Sequence, residues 1–445
     1  MGGWKQYLAG VAAAFGAFCL GASIGWSGPV EKEVRMGLAY KFAPTSMEWG
    51  WVSSLLTLGA AASCIPAGIL IGIFGRKITM LGLAPPFLIG WLLIILAQKP
   101  FMLMIGRFIV GACGGAFCIT APMYNTEIAE LSKRGVMGCF FQLLIVHGVL
   151  YGFIVGAYAK VKLMNILCGI LPIIFFLFFM WMPESPVYLA QKGKNERAER
   201  SLKFLRGKDA DVSAEASQMA SEGQKEKVKP MQALCRKTTL KSLAISMMLM
   251  VFQQITGINA IIFYSTGIFT AAGTGLSPST STIIIGLVMV IATIISIVLI
   301  DKVGRKILLL VSAALMFITT LIMAIYFQWL TQKDVGWLPV LAVCIFISGF
   351  SFGFGPVPWL LMAELFAEDA KPVAGAIAGT TNWICAFIVT LAFPLIKDEA
   401  GPAACFWIFA AVSFAAILFV LFLVPETKGK TLNEIQGLIA GGKKD

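Results

Sequence analysis

The chain has a single histidine, His147, and only 13% of its residues are charged, about half the share usual in soluble domains. These two shortages remove most of the equipment of acid–base and metal chemistry. No serine or cysteine nucleophile is paired with a base, and no His/Cys/Asp/Glu set has metal-ligand spacing. An enzyme is excluded as a reading, and no cofactor is expected. No Asn-x-Ser/Thr sequon occurs, so no attached glycan marks an outer loop. Of the ten cysteines, nine fall inside long apolar runs and Cys235 falls in a basic loop. They are placed as small buried hydrophobes, not as disulfide partners.

The composition is dominated by apolar residues: 58% of them are hydrophobic and the mean hydropathy is +0.85. A helix crossing the hydrocarbon core needs about 20 mostly apolar residues. Twelve runs qualify, near 6–27, 47–73, 78–97, 101–125, 136–158, 163–182, 240–270, 281–300, 306–329, 338–363, 373–396 and 402–424. A barrel would instead show alternation over about 10 residues. The fold class expected is an all-α polytopic membrane protein with twelve transmembrane helices. The first run, behind Lys5, lacks a small-residue cleavage site and is read as a retained helix, not as a secretory signal.

The net charge of +12 raises nucleic acid as a partner, but its distribution argues for topology instead. With a cytosolic N-terminus, most Lys and Arg fall on the cytosolic side, which places both termini there. The location expected is the plasma membrane, as a multi-pass protein. The bilayer is the expected partner and nucleic acid is not. The basic segment 187–239 contains "GKNERAERSLKFLRG", with Ala198, Leu202 and Leu205 at helical spacing, and reads as a small cytosolic helical linker. The organisation expected is a six-helix bundle over 1–186, that linker, a second six-helix bundle over 240–424 and a cytosolic tail over 425–445.

Three landmarks recur roughly 230–240 residues apart. "GRK" stands at Gly75, Arg76 and Lys77 and again at Gly304, Arg305 and Lys306; "PESP" carries Glu184 where "PETKGK" carries Glu426; Glu127 ends the fourth run as Glu364 ends the tenth. A six-helix unit has been duplicated, as in secondary transporters whose solute site lies at mid-membrane between the halves. The landmarks can be simple topology determinants and helix stops. Their recurrence favours ion pairs on the cytosolic face, Arg76 with Glu184 and Arg305 with Glu426.

Within the run Leu243 to Ala272, which carries no charge, sits "FQQITGINAIIFY". An unpaired buried amide costs about 1–3 kcal/mol, so Gln253 and Gln254 should not face lipid. They either face a watered cavity, satisfied by solvent between cycles, or join neighbouring helices by hydrogen bonds. Adjacent residues point about 100° apart on a helix, so one can do each job. Amides suit a neutral polyhydroxylated solute, because each offers donors and acceptors on one side chain. Carboxylates at mid-span, which would cost roughly 2.5–3.5 kcal/mol each, are almost absent, which disfavours ions, amino acids and organic anions as solutes. Arg107 is the one charge well inside a run. Gly257, Pro356 and Pro358 weaken their helices and suit spans that bend. His147 lies five residues after Gln142, about 140° further round, and reads as a packing residue.

These motifs also carry a resemblance. "DKVGRK" at Asp301–Lys306, "PESP" at Pro183–Pro186, "GRFIVGACGG" from Gly106, "QQITGIN" at Gln253–Asn259, "GPVPW" at Gly355–Trp359 and "PETKGKTL" from Pro425 together resemble the sugar porters of the major facilitator superfamily, over essentially the whole chain. Within that family the chain looks most like the insect facilitated trehalose transporters, through "FGFGPVPWLLMAE" and "ERAERSLKFLRGKDADV", and like the facilitative glucose transporters. The resemblance implies two six-helix bundles around a central cavity and sugar moved by alternating access, by a protein working as a monomer. It puts the sugar-binding residues at Gln142, Gln253, Gln254, Asn259, Trp359 and Asn382, an outer-gate tyrosine at Tyr264, and cavity aromatics at Phe350 and Trp383. It assigns a cytosolic ion-pair network to Arg76, Glu127, Arg134 and Glu184 in one half, and to Arg305, Glu364 and Glu426 in the other.

Three departures from the family pattern matter. Met289 stands where an asparagine is usual, the N-half loop "GIFGRK" lacks the acidic residue kept at Asp301, and Ser27 stands where proton-coupled members have aspartate. The expectation is facilitative transport of a neutral sugar, trehalose or a hexose such as glucose. A proton-coupled symporter and a non-transporting sugar receptor are the alternatives.

Overall fold

The computed structural model describes residues 3–130, 133–207, 210–223, 232, 235–273, 275–331, 335–366, 370–430 and 432–440. Parts of the 187–239 segment and the end of the 425–445 tail therefore lie outside the described residues. Among those described there are helices and no strands. Twelve helices are long and apolar enough to span a membrane: Trp4–Arg35, Ser46–Phe74, Arg76–Ile95, Pro100–Ile128, Arg134–Tyr158, Val161–Phe179, Lys237–Phe263, Pro278–Ile300, Arg305–Leu330, Trp337–Met362, Val373–Ala400 and Pro402–Leu423. An even number of crossings puts both chain ends on one face, here called the terminal side, with the far side opposite.

Local chemistry sets the helix ends. Thr45 caps the second span through a reciprocal box: its hydroxyl accepts the Glu48 N–H at 3.2 Å and its own N–H donates to Glu48 Oε2 at 2.8 Å. Pro100, Pro278 and Pro402 open their spans at a position where a missing N–H costs nothing. The first span runs eight residues past the expected end at 27. After Trp26 the helix continues as Ser27–Arg35, with Val30, Glu31 and Val34 buried and Lys32, Glu33 and Arg35 exposed. An amphipathic extension of this kind adds nothing to an apolar run, which is why the hydropathy reading stops short of it.

Two spans are broken. The seventh is helical over Lys237–Ile255, turns at Gly257 with φ of 99°, and resumes as Ile258–Phe263 and Ser265–Ala272. A Cβ on Gly257 would lie 2.6 Å from the Phe409 ring, so both the backbone angle and the space demand glycine. The tenth is helical over Trp337–Phe352 and again over Val357–Leu365, with Gly353, Gly355, Pro356 and Pro358 at the break.

The first six spans pack with one another and so do the last six; the bundles meet where the second span lies on the eleventh and the fifth on the eighth. Close approaches across this seam lie at mid-span and on the far side. A Cβ on Gly28 would lie 2.8 Å from Ser265 Oγ, one on Gly50 3.5 Å from Pro394, and one on Gly286 2.8 Å from Leu150. The Trp51 and Phe387 rings are 5.8 Å apart. Deeper in, Gly379 faces Ile119 and Cys64 at 3.7 and 3.8 Å. Towards the terminal side, Gly135 and Gly138 of the fifth span face open space. The halves are thus drawn together on the far side. On the terminal side, the helix Asn195–Arg206 buries Ala198, Leu202 and Leu205.

Candidate functional site

The break in the seventh span places Gln253 and Gln254 at the end of one helix and Asn259 at the start of the next. Asn382 of the eleventh span faces them. Gln254 Nε2 donates to Asn382 Oδ1 at 3.1 Å and Asn259 Nδ2 donates to Gln254 Oε1 at 2.6 Å. Asn382 Nδ2 donates to Gln253 Oε1 at 2.5 Å, while Gln253 Nε2 donates to the carbonyls of Phe354 at 2.6 Å and Gly355 at 2.9 Å. The four residues are 2%, 5%, 8% and 1% exposed in the order Gln253, Gln254, Asn259, Asn382. Of the two alternatives, hydrogen bonding between helices is the one seen here: the amides bond one another and the broken backbone of the tenth span.

Each amide has two donor hydrogens and two acceptor lone pairs. At Gln253 both hydrogens are given to carbonyls, and Oε1 accepts from Asn382 and, at 3.4 Å, from Gln254. Asn259 keeps one N–H and its carbonyl oxygen free of the contacts described. Gln142 stands half-buried in the fifth span outside this cluster, and no described residue bonds to it. Trp359 is half-buried beyond the tenth-span break, with its ring edge near Gly379. Phe350 is half-buried on the other side of that break, its carbonyl accepting the Gly355 N–H at 2.7 Å. Trp383 is buried beside Cys118 of the opposite half. Met289 is buried too, and adds no polar group to the eighth span.

Above the amides, Tyr264 is buried and its hydroxyl donates to the Thr390 carbonyl at 2.8 Å, with its ring stacked on Phe393 at 5.3 Å. Beyond it lies Glu31 of the first span, 9% exposed, with Arg35 at 3.5 Å and Lys397 of the eleventh span facing it. Sequence reading missed Glu31 because it sits past the apolar run. Arg107 is wholly buried: Nη1 donates to the Ser23 carbonyl at 2.6 Å, Nη2 to Ser27 Oγ at 2.8 Å and Nε to the Val52 carbonyl at 3.2 Å, while the guanidinium lies 4.9 Å from the Trp26 ring. Neutral oxygens and an aromatic face hold this cation. His147 Nδ1 lies 2.7 Å from the Leu143 carbonyl of its own helix.

The ion-pair network appears twice, with different pairing from that expected. Arg76 pairs with Glu127 at 2.6 Å and Arg305 with Glu364 at 2.8 Å. Glu184 instead accepts the backbone N–H groups of Arg76 and Lys77, each at 3.0 Å, and Glu426 those of Arg305 and Lys306, each at 3.0 Å. The side-chain pairs Arg76–Glu184 and Arg305–Glu426 are thus corrected. A helix N-terminus presents unpaired donors and a positive dipole end, and the carboxylate takes that seat, leaving the guanidinium to reach inwards. Gly75, with φ of 96°, and Gly304, with φ of 103°, open these helices, and a side chain at Gly304 would collide with Glu426 Oε2 at 2.8 Å. Ser185 and Thr427 donate to Glu127 and Glu364 respectively. Arg134 is exposed, and no described residue pairs with it.

The two seats differ in charge balance. Burial pushes the Glu184 carboxyl above its ordinary value of 4.5, and the backbone donors only partly offset it. At Glu426 burial also pushes upwards, but the N–H groups of Lys428, Arg305, Lys306 and Thr427 outweigh it and hold the carboxyl below 4.5.

Comparison with known proteins agrees with this architecture. Residues 3–438 match the family described as "Sugar (and other) transporter". The chain is 36% identical over 446 residues to the facilitated trehalose transporter Tret1 of Drosophila mojavensis, covering 98% of this chain and 52% of that protein. It is also 36% identical over 449 residues to the Tret1 of Bombyx mori, covering 99% of this chain and 88% of that one. The chain spans about half the length of the Drosophila relatives. Among solved structures, the xylose transporter XylE from E. coli in a partially occluded inward open conformation superposes with a TM-score of 0.82 at 24% identity, covering 96% of this chain and all of that one. The same protein bound to 6-bromo-6-deoxy-D-glucose gives 0.80 at 23% identity, covering 98% of this chain and 100% of that one. These relatives are transporters, not enzymes, and the chain belongs to the sugar transporter family, with the twelve-helix major facilitator fold.

Proposed function

We propose that the chain carries a neutral sugar across the membrane by alternating access, as a facilitative transporter. The observation that carries this reading is the amide cluster of Gln254, Asn259 and Asn382, where the broken seventh span meets the eleventh, with the Trp359 ring near Gly379 of that same eleventh span. Its chemistry is neutral and two-sided, matching hydroxyls that donate and accept. Gln142 and the free groups of Asn259 take the first hydroxyls, and Gln254 and Asn382 exchange each other for sugar as it settles against the Trp359 ring. Tyr264 with Phe393 closes the path on the far side, and Phe350 and Trp383 line the cavity.

Trehalose is the leading substrate on the names of the relatives, with glucose or another hexose next. The terminal side is assigned to the cytosol because the basic loops lie there, and the membrane to the plasma membrane; the chain works as a monomer. Ser27 beside Arg107 leaves no carboxylate at that place in the first span, which favours uniport over proton symport. Purified protein in vesicles should exchange labelled trehalose or glucose down its gradient with no proton gradient imposed or created. Uptake that requires a proton gradient would move the reading to symport, and binding without equilibration would move it to a receptor.

A further inference from the structure

One buried carboxylate belongs neither to the solute site nor to the terminal-side network. Glu31 is 9% exposed and lies on the continuation Ser27–Arg35 of the first span, where that helix meets the other half on the far side. Three residues before it, Gly28 packs against Ser265 and the Ile262 carbonyl of the seventh span, and Glu31 shares that face. A Cβ on Gly267 would lie 3.5 Å from Glu31 Oε2, yet this oxygen is buried and no described residue donates to it. The other oxygen has Arg35 Nη1 at 3.5 Å, while Arg35 Nη2 is committed to Ser46 Oγ at 2.6 Å. Across the seam the eleventh span brings half-buried Lys397 together with exposed Asp398, so the pull of the cation is partly offset. Tyr264 lies below Glu31 on the seventh span, and the fifth span meets this segment with Gly156 against Pro29. Glu31 is the only carboxylate among the described residues that is buried.

We propose that Glu31 is a gating charge that presses the far-side seam open. With the halves together, its carboxylate is stripped of water and holds a bare oxygen against the backbone of the helix Ser265–Ala272. With the halves apart, water reaches both oxygens. Taking a carboxylate out of water costs more than a single ion pair at 3.5 Å returns, so separation relieves Glu31. Lys397 works the other way, because its attraction across the seam is strongest while the halves are together. The rest of the far-side seam is glycine, proline and aromatic surface, which gains from expelling water. A seam of that kind alone would stay shut. One buried charge set against it keeps the two forms close to balance, as a carrier that must cycle requires. The inference rests on the alternating-access reading for the existence of a far-side-open form.

Far-side opening is read in vesicles from Thr390→Cys in a cysteine-free background, as the rate of labelling by a membrane-impermeant maleimide at about pH 8, where free carboxylates are ionised. Glu31→Gln keeps the shape and removes the charge. It should slow labelling about fivefold or more, the scale set by a buried charge with an unmet oxygen. Lys397→Gln should speed labelling about threefold, the size of a partly exposed ion pair, and should change it little once Glu31 is glutamine. Thermal unfolding in detergent is the second measurement and needs no transport: Glu31→Gln should raise the unfolding temperature and Lys397→Gln lower it. Faster labelling in Glu31→Gln would make the residue a latch and overturn the proposal. So would a lowered unfolding temperature in that variant, unchanged labelling and unfolding, or the same response to Lys397→Gln in both backgrounds. If the wild-type reporter never reacted and labelled trehalose and glucose never crossed, the alternating-access reading would fall, and the unfolding temperatures would still decide whether Glu31 opposes the closed seam.

Discussion

Arg107 Nη2 donates to Ser27 Oγ at 2.8 Å in the wholly buried interior of the N-terminal bundle, beside the ring of Trp26. A cation held this way depends on the aromatic face, because no carboxylate among the described residues pairs with it. Cation–π contacts are worth about 2 kcal/mol when desolvated. Trp26→Leu should therefore lower the unfolding temperature distinctly more than Trp26→Phe. The Trp26 indole also donates to Asn165 Oδ1 at 2.7 Å, so Asn165→Ala measures that share separately. Equal unfolding temperatures for the Leu and Phe variants would count against the ring as Arg107's partner.

The far-side seam closes on Gly28, where a Cβ would stand 2.8 Å from Ser265 Oγ and 3.4 Å from the Ile262 carbonyl. Gly28→Leu should wedge the two halves apart there. A single cysteine placed at Tyr264 or Thr390 in a cysteine-free background is expected to react with a far-side impermeant reagent several-fold faster in the Leu variant, with net transport lost. Unchanged labelling would show that the seam accommodates the side chain elsewhere.

Free hydrogen-bonding capacity at the proposed solute site lies with Asn259 and Gln142. One net hydrogen bond is worth about 1 kcal/mol, so Asn259→Ala and Gln142→Ala should each raise the sugar dissociation constant about fivefold. Trp359→Leu should cost at least as much, since it removes the ring platform. Equilibrium binding of labelled sugar to purified protein reads all three, and wild-type affinity in both amide variants would remove them from the site.

Glu184 and Glu426 hold equivalent seats and should answer acid in opposite ways. The folded pKa of Glu184 is raised, so the folded chain binds its proton more tightly than the unfolded one. Its contribution to stability therefore falls as pH rises through the window above 4.5. The folded pKa of Glu426 is lowered, so its contribution is present above 4.5 and is lost as pH falls below it. Unfolding temperatures between about pH 4 and 7 should show that Glu184→Gln alters the slope above 4.5 and Glu426→Gln the slope below. The same slope change in both variants would contradict the assignment.

Much of this architecture is legible in the sequence because the bilayer imposes a length on every crossing. Runs of about 20 apolar residues are hard to produce by chance, and "GRK" recurring after the eighth span as it does after the second exposes the duplication. What stays hidden depends on atoms shared between distant helices. That Arg76 binds Glu127 and leaves Glu184 to the backbone follows from which donors a helix start leaves open, and residue identity alone does not record it. The amides near Asn259 announce a polar site, yet their mutual bonding and the bonds from Gln253 to the tenth-span carbonyls emerge only when spans seven, ten and eleven meet. Glu31 went unread because its stretch of helix is half polar.

The glycines along the seam have a mechanical consequence. Where Gly28, Gly50, Gly286 and Gly379 meet the other half, one surface is bare backbone, and the opposing residue has little to catch on as the bundles rock. In the proposed alternating-access cycle such a joint would act as a plain bearing, tolerating small misalignments and breaking few specific bonds at each stroke. Adding bulk to this bearing should slow the carrier even where the sugar site is untouched.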